Sequence, residues 1–385
     1  MTTKLLHGCA LAWHAGQRLP HWHGLSAALA LQTDLLGLPS GNVTADVDAM
    51  FTLAAPNLHP INVYVNSDAA RLPTTALSEL TLQAASGIMS VHGRSSGKAN
   101  PLGVEYLTVL TAVMALQATL AAAVGQLRSG VFHEVYVSPL ACGLLSIGQY
   151  LAGATAPEDP ERFLPGQYSP TLRPPFVSSD SVVFELETLD SNPWRLFWQA
   201  AGMPAELAGQ AWKAFLLRYA KAVSPMPDEC MACLSRLPFA QIQALARQVG
   251  IAVVPVRTLA ERQRDADYQS STGPWAFAAH TASHLAAANS APNELPLRGL
   301  RVIESCRRIQ GPLAGHLLAM LGAEVIRLEP PGGDPLRAMP PCADGVSVRF
   351  DALNHLKTVQ EVDIKSDAGK QTIYALARDA DVFFA

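Results

Sequence analysis

Charged residues are scarce in this sequence, and neither sign dominates. They make up 16% of the chain, with 28 lysines and arginines against 32 aspartates and glutamates. Proteins that bind nucleic acids usually concentrate basic residues on one face, so this scattered, slightly acidic balance argues against nucleic acid as a partner. Disorder is excluded as well, because 49% of the residues are hydrophobic and can bury large cores.

Cysteine is also sparse, at six residues in 385, which is too few and too spread for a disulfide framework. Cys230 and Cys233 have the spacing of half a zinc site, but no second pair follows at a useful distance. His280 and His284 lie one helical turn apart and lack the glutamate that acts as general base in zinc proteases. We therefore predict no metal site.

Long hydrophobic runs are nearly absent. The longest, from Val104 to Val124, approaches the roughly 20 residues that a membrane span needs. It contains Glu105 and Gln117 and has no charged flanks, so a buried core helix is the expected structure. The first residues, Met1 to Trp13, make a poor signal peptide. We expect a cytoplasmic protein with no membrane partner.

A chain of 385 residues is longer than one minimal core needs, so two or three lobes are expected. A stretch rich in proline and glycine, Ala154 to Pro175, marks one boundary. The predicted divisions are an unassigned lead segment (1–75), a large-lobe part with the long helix (76–155), a small α+β lobe (156–261), a linker (262–297) and a Rossmann-like part (298–385).

Hydrophobic periodicity predicts the elements of the first two lobes. The alternation from Ile61 to Val65 indicates a strand, and one helix is predicted over Thr75 to Ser90. Leu77, Leu80 and Ala84 form the expected buried face of that helix. Further strands are predicted at 133–137, 181–186 and 250–256, and further helices at 141–151, 193–201, 206–221 and 239–248.

The last part of the chain has the clearest pattern. Leu300–Glu304 reads as a strand, Gly311–Leu321 as a helix and Ala323–Leu328 as a second strand. This order forms a βαβ unit, whose two strands run parallel. A helix near 368–377 and a strand at 381–384 follow. The expected fold class is α/β, with an open parallel, Rossmann-like sheet lobe and a smaller α+β lobe.

Two features of this unit concern ligands. No Gly-x-Gly-x-x-Gly motif follows the strand that ends at Glu304, so an NAD-dependent enzyme is a weak alternative. Residues Glu329 to Arg337 form a rigid loop after the second strand. Ligands of open α/β sheets bind beyond the carboxyl ends of the strands, where this loop must lie. By itself the loop indicates a small-molecule site and nothing sharper.

The same stretch strongly resembles the N-terminal part of class III CoA-transferases, the CaiB/BaiF family. The resemblance rests on a series of motifs in family order: Leu300–Glu304, Gly311–Gly315, Leu321–Arg337, Leu353–Lys357, Val362–Lys365 and Ala380–Val382. Earlier residues look like the family's later parts: Glu79–Gly93, Glu105–Leu116, Ser129–Ser138 and 171–260. The order is thus reversed, as in a circularly permuted chain or in one part of a larger protein.

The resemblance implies a reaction in which CoA moves between carboxylic acids through an anhydride and then a thioester on an aspartate. Glu105 occupies the position of that aspartate, with a side chain longer by one methylene, or about 1.5 Å. Glu105 is therefore the candidate nucleophile. A second interpretation stays open, because the dipole of a helix favours a glutamate at its N-terminus. Ser78 stands where the family's racemases need a histidine.

The resemblance also implies contacts to CoA. By position they are Ile309, Gln310, Pro330, Val362, Asp363, Ile364 and Lys365. Arg337 and Lys357 are candidates for pairing with the phosphates of CoA, with solvated surface charges as the alternative.

We therefore expect an acyl-CoA transferase with acyl-CoA and a carboxylic acid as substrates, no metal, and a homodimer as the resemblance implies. The alternative is a degenerate, non-catalytic subunit that binds acyl-CoA or a partner. A 2-methylacyl-CoA racemase comes after it, because Ser78 lacks the imidazole that removes the α-proton.

Overall fold

The computed structural model describes residues 6, 8–14, 24–38, 40–42, 49–66, 77–94, 96–155, 175–221, 224, 226–270 and 294–385. Within these residues the helices are α1 (Gly24–Leu35), α2 (Glu79–Ser86), α3 (Ile88–Gly93), α4 (Tyr106–Ser129), α5 (Pro139–Ser146), α6 (Gly148–Thr155), α7 (Ser191–Ala200), α8 (Ala205–Lys221), α9 (Asp228–Leu234), α10 (Phe239–Val249), α11 (Leu259–Arg262), α12 (Ala266–Ser270), α13 (Gln310–Met320), α14 (Val348–Asn354) and α15 (Asp367–Arg378). The strands are β1 (Ala10–Trp13), β2 (Ser40–Asn42), β3 (Phe51–Ala54), β4 (Ile61–Val65), β5 (Glu134–Val137), β6 (Phe176–Val177), β7 (Val183–Glu187), β8 (Ala252–Pro255), β9 (Arg301–Glu304), β10 (Glu324–Glu329), β11 (Cys342–Ala343), β12 (Val346–Ser347), β13 (Thr358–Glu361) and β14 (Val382–Phe384).

The chain divides into two compact units. The larger unit combines Met1–Met89, Pro101–Asp159 and Phe277–Ala385, and the smaller combines Ser90–Asn100 with Pro160–Ala276. Residues from the start, the middle and the end of the sequence therefore share the larger unit. The five-part division at 75, 155, 261 and 297 stays a prediction.

The larger unit contains a parallel sheet in the order β13-β10-β9-β14. Val325 pairs with Val302 across β10 and β9, and Val382 pairs with Val302 on the other side. The chain order thus reverses between β9 and β14, which is the position where open α/β sheets form a ligand crevice. The predicted α/β fold class, with its Rossmann-like parallel sheet, is confirmed.

A mixed sheet, also in the larger unit, has the order β2-β1-β3-β4-β5. In β4, the buried Ile61, Val63 and Val65 alternate with half-buried neighbours, which is the period of two that a half-buried strand requires. The strand from Ile61 to Val65 is confirmed. Strands β1 to β3 were not predicted, because their short segments carry little alternation.

Helix α4 belongs to the core of the larger unit. By length and composition it is the one helix in the described part of the chain that could cross a membrane, yet 56% of its most apolar window is buried inside the protein. Its Ala121 lies in one apolar cluster with Leu297, Val302 and Val325. This burial fits the predicted core helix.

The predicted single helix over 75–90 is wrong in extent and in face. Helix α2 ends at Ser86, because Gly87 takes a left-handed conformation with φ of 87° and caps it, and the short α3 follows. Leu80 is 56% exposed, whereas Gln83 is fully buried. The buried face is therefore partly polar, which a hydrophobic pattern does not reveal.

The smaller unit has an antiparallel sheet, β6-β7-β8, packed against helices α7 to α10. Its core is aromatic: Phe184, Trp194, Phe197 and Trp198 are each at most 1% exposed. The indole N–H of Trp194 donates a hydrogen bond of 2.8 Å to the carbonyl of Ala208. This satisfied polar group lets the large ring be buried without an unpaired donor.

Candidate active site

Glu105 is placed at the start of α4, as the residue that precedes its first turn. Its backbone has φ of −77° and ψ of 62°, and its side chain makes no capping hydrogen bond. Its carbonyl accepts the helical hydrogen bond from Val109 N at 3.2 Å. The side chain is exposed. Glu105 therefore lies at the N-terminus of α4, but its carboxylate does not cap the helix.

Glu79, from α2, caps the N-terminus of α4 in place of Glu105. Its Oε1 accepts from Leu107 N at 3.0 Å, and its Oε2 accepts from Thr108 N at 2.7 Å. The hydroxyl of Thr108 donates a further bond of 2.7 Å to the same Oε2. Two of the first N–H groups of α4, which have no partner within the helix, are thus satisfied by a carboxylate from another helix.

Gln83 holds the loop that leads into α4. This fully buried residue donates from Nε2 to Glu79 Oε1 at 2.7 Å and to the carbonyl of Val104 at 3.3 Å. Its Oε1 accepts from Leu102 N at 2.8 Å. A buried amide with all these partners is rigid, so the loop before Glu105 has a defined position.

Ser78 has a capping role in the structure. Its hydroxyl accepts from Thr81 N, and Thr81 reciprocates on the backbone N–H of Ser78, which makes a capping box at the start of α2. No imidazole is present there to carry out the α-proton transfer of a racemase.

The second group of predicted residues lies beyond the carboxyl ends of the parallel strands. Ile309 and Gln310, at the start of α13, are exposed, as are Asp363, Ile364 and Lys365 after β13. Because β13, β10 and β9 are adjacent and parallel, these segments lie along one edge of the sheet. Pro330 is half-buried between them and accepts from Gly333 N at 2.9 Å.

Val362 differs from its neighbours because its side chain is buried. It belongs to an apolar cluster with Ile303 and Leu328. Its backbone N–H donates to the carbonyl of Glu329 at 2.8 Å and so extends the pairing of β13 with β10. Val362 therefore packs beneath the sheet edge, and its buried side chain is not available there for contact with CoA.

Lys357 is also internal. The side chain has no exposure, and its Nζ lies 2.8 Å from Glu304 Oε2, 2.8 Å from the carbonyl of Pro312 and 2.9 Å from Asn354 Oδ1. Two hydrogen bonds and one ion pair therefore hold the ammonium group inside the protein. Burial lowers the pKa of Lys357, and its pairing with Glu304 only partly offsets that effect. The ammonium group is not exposed for a phosphate in this structure.

Lys357 belongs to a buried network of charges beneath the sheet edge. Arg327 is 1% exposed and pairs with Glu304, with Glu329 at 3.2 Å and with Asp334 at 2.6 Å. The partners of these charges are supplied from the ends of β9 and β10 and from the following loop. Pairing of this kind offsets the large cost of removing the charges from water.

Arg337 closes the network on its exposed side. Its Nε and Nη2 donate to the two oxygens of Glu329 at 2.7 and 2.8 Å, and its guanidinium lies 4.6 Å from the centre of the Phe350 ring. Burial alone would raise the pKa of Glu329, but the hydrogen bonds from Arg337 and from Asp334 N outweigh it and hold that pKa below its ordinary value. About a third of the Arg337 side chain stays exposed.

Cys230 and Cys233, which have the spacing of half a zinc site, belong to the core of the smaller unit. Cys230 is fully buried, and burial raises the pKa of its thiol to about 12. Burial also raises the pKa of Cys233, whose Sγ donates to the carbonyl of Ala201 at 3.1 Å. Both thiols stay protonated at neutral pH. His280 and His284 lie outside the described residues, and within those residues no cluster of three metal-binding side chains occurs.

Comparison with known families gives this arrangement a context. The model of a family described as CoA-transferase family III matches residues 74–293 and 297–385, well over half of the chain. The chain belongs to CoA-transferase family III.

Named relatives within this family are similar over part of their length. The chain is 42% identical over 95 residues to a succinate–glutarate CoA-transferase of Agrobacterium fabrum, covering 23% of this chain and 24% of that protein. It is 39% identical over 90 residues to a probable fatty acyl-CoA transferase of Mycobacterium tuberculosis, covering 23% of each. A solved CaiB/BaiF family protein from Brucella suis is 34% identical with a TM-score of 0.23, over 24% of this chain and 25% of that one. These alignments span about a quarter of each relative.

Several residues of this family III chain were missed as members of a site. Glu79, Gln83 and Thr108 fix the start of α4, and Arg327 and Glu304 form the buried network. Glu304 and Arg327 carry a detectable signal, because charged residues are unusual in buried parallel strands. Glu79 and Gln83 carry none, since their partners lie on a different helix and loop.

Proposed function

We propose that the protein is an acyl-CoA transferase in which Glu105 is the nucleophile. The observation that carries the proposal is that Glu79, and not Glu105, caps the start of α4. Glu79 caps the helix, and Glu105 is an exposed residue whose side chain makes no capping bond. A nucleophilic carboxylate needs an oxygen that is not engaged in capping a helix, and the absence of a capping bond at Glu105 supports this role.

In the first half-reaction, an oxygen of Glu105 attacks the thioester carbonyl of an acyl-CoA. A carbon–oxygen bond forms, the carbon–sulfur bond breaks, and CoA leaves as a thiolate. The product is a mixed anhydride between Glu105 and the acyl group. The thiolate then attacks the glutamyl carbonyl, so that the first acid leaves as a carboxylate and Glu105 carries CoA as a thioester.

The second half-reaction reverses these steps with the acceptor acid. Its carboxylate attacks the glutamyl thioester and releases the CoA thiolate, which then attacks the acceptor's own carbonyl. A new acyl-CoA leaves and the carboxylate of Glu105 is restored. No oxidation or net proton transfer occurs, so the protein has to hold the carboxylate and retain CoA between the steps.

For CoA itself we propose the exposed edge of the parallel sheet. Ile309, Gln310, Asp363, Ile364 and Lys365 are the candidate contacts. The buried Val362 and the half-buried Pro330 support a role in shaping that edge. Arg337 is the remaining candidate for a phosphate, whereas the internal pairing of Lys357 favours a structural role. We also propose a cytoplasmic homodimer, as family resemblance implies.

Label exchange tests the proposed function. The protein is incubated with succinyl-, glutaryl- and fatty acyl-CoAs and the matching ¹³C-labelled free acids, a panel suggested by the names of its relatives. We expect label to enter acyl-CoA with at least one pair, and exchange to stop in Glu105→Gln. Glu206→Gln, an exposed glutamate in the first turn of α8, is the matched control and should exchange normally. Exchange that survives in Glu105→Gln contradicts the proposal.

A non-catalytic acyl-CoA-binding subunit is the second candidate. The glutamate at the position of the expected aspartate favours it, because one extra methylene moves a carboxylate by about 1.5 Å. Binding of acyl-CoA without label exchange, measured by calorimetry on the same panel, would support this function in place of transfer.

A further inference from the structure

The carboxylate of Glu105 lies against the first residue of α1. A Cβ added to Gly24 would collide with Oε2 of Glu105 and would lie 3.3 Å from its Cδ. The space that any other side chain would occupy at residue 24 is thus filled by the end of the Glu105 side chain.

Thr108 of α4 lies on the other side of the space beside Gly24. The Cγ2 atom of Thr108 lies 3.2 Å from the same added Cβ. Thr108 cannot readily move, because its N–H and its hydroxyl both donate to Glu79 at 2.7 Å. Helix α1 is itself anchored by Leu25 and Leu29, which are each 1% exposed. These contacts limit the movement of Thr108 and of α1 beside Glu105.

We propose that Gly24 is a positioning residue that admits the longer glutamate side chain at the nucleophile position. This inference rests on the proposed function. The missing Cβ at residue 24 provides the space for the extra methylene that distinguishes glutamate from the aspartate implied by the family resemblance. The matched part of the chain begins at residue 74, so Gly24 lies in the segment that the family model does not cover.

Gly24→Ala tests this inference. Gly24 has no left-handed φ, and the first atom that its new Cβ would meet is the end of a flexible side chain, while Thr108 Cγ2 at 3.2 Å has to shift by a few tenths of an ångström. The gain in helix propensity and the cost of this small shift oppose each other, so we expect a Tm close to that of the parent. The carboxylate would be displaced, and a misplacement near 1 Å can lower a rate by about 100-fold. We expect that loss in the rate of label exchange.

Gly148→Ala is the matched control. Gly148 is likewise the first residue of a helix, α6, and its added Cβ would meet nothing within 4 Å. Both Tm and label exchange should stay at the parent values. An equal loss of exchange in Gly148→Ala would overturn the inference, because the effect would then not depend on the contact with Glu105.

A double-mutant cycle separates positioning from a merely structural effect. Aspartate at residue 105 does not reach the space beside residue 24, so Gly24→Ala should change exchange by less than about threefold in the Glu105→Asp background, against about 100-fold in the parent. Equal losses in both backgrounds, or full exchange by Gly24→Ala alone, would overturn the role of Gly24 and leave the transferase intact. A parent that exchanges no label overturns the proposed function, and this inference with it.

Discussion

Two glutamates lie near the start of α4, and they differ in that only one of them caps the helix. Glu79 reaches from α2 and accepts the N–H groups of Leu107 and Thr108. Glu105 is adjacent to that helix in sequence but does not cap it. A carboxylate that caps a helix has its oxygens engaged, so only the residue released from capping is available for chemistry.

Glu79→Gln tests this division. The amide keeps one acceptor oxygen, but its NH₂ group then faces an N–H donor, so at least one bond to α4 is lost. We expect the free energy of unfolding to fall by about 1–3 kcal/mol in urea denaturation. Label exchange should fall as well, because the start of α4 loosens. A variant with parent stability would show that Glu79 does not cap α4.

Glu329→Gln tests the buried charge network and its dependence on pH. The folded-state pKa of Glu329 lies below its ordinary value of 4.5, because hydrogen bonds from Arg337 and Asp334 N outweigh burial. The ionised group therefore contributes stability above about pH 4.5 that is lost as the pH falls through the lower folded value. We expect the variant to be about 3–5 kcal/mol less stable at pH 7.

The difference in unfolding free energy between parent and Glu329→Gln should shrink as the pH is lowered from 5 to 2, as measured by denaturation at a series of pH values. A difference that is constant over this range would contradict the pairing of Glu329 with Arg337 and Arg327.

At the scale of elements, α13 lies directly on the charge network. A Cβ at Gly315 would collide with Oε2 of Glu304 and would lie 3.4 Å from Cε of Lys357. Glu304 cannot move aside, because it is fully buried and held by Lys357 and Arg327. Close contact between helix and sheet at this point therefore requires glycine.

Gly315→Ala should lower the free energy of unfolding by about 1–3 kcal/mol, because the extra methyl group overpacks a fixed region. Gly209→Ala is the control, since Gly209 is exposed within α8 and its added Cβ meets nothing within 4 Å. That change should raise stability by up to about 1 kcal/mol. Denaturation of both variants gives the comparison, and a stable Gly315→Ala would show that α13 can shift.

Sequence patterns predicted the parallel sheet well and the start of α4 poorly. Strands β9 and β10 were found because each contains a Val-Ile pair, and the two pairs stand on either side of a helical segment. The buried face of α2 was misjudged because Gln83 is buried only through its bonds to Leu102 and Val104, which lie in a different segment. Lys357 was predicted to pair with a phosphate of CoA or to be a solvated surface charge. Its burial was missed for the same reason, since only the fold reveals its pairing with Glu304.

At the scale of the whole molecule, the larger unit is built from both ends of the sequence. Met1–Met89 and Phe277–Ala385 belong to it together with Pro101–Asp159. This arrangement is what a permuted order of family segments requires, because the joined parts must still meet in one unit. We propose the permutation on that ground, with Gly24 as a contribution from the lead segment.

The proposed homodimer is a prediction at the same scale. Light scattering coupled to size-exclusion chromatography should give a mass of twice 41.0 kDa. A mass of 41.0 kDa at micromolar concentration would contradict the homodimer and would leave the assignment of Glu105 unaffected.

The most direct test of the account is the intact mass of the protein after brief incubation with the acyl-CoA panel and rapid quenching. We predict an increase in mass that corresponds to bound CoA and is removed by hydroxylamine, on the parent and on Glu206→Gln. The same treatment of Glu105→Gln should leave the mass unchanged. No adduct on the parent, or an adduct that persists in Glu105→Gln, would contradict the claim that Glu105 is the nucleophile.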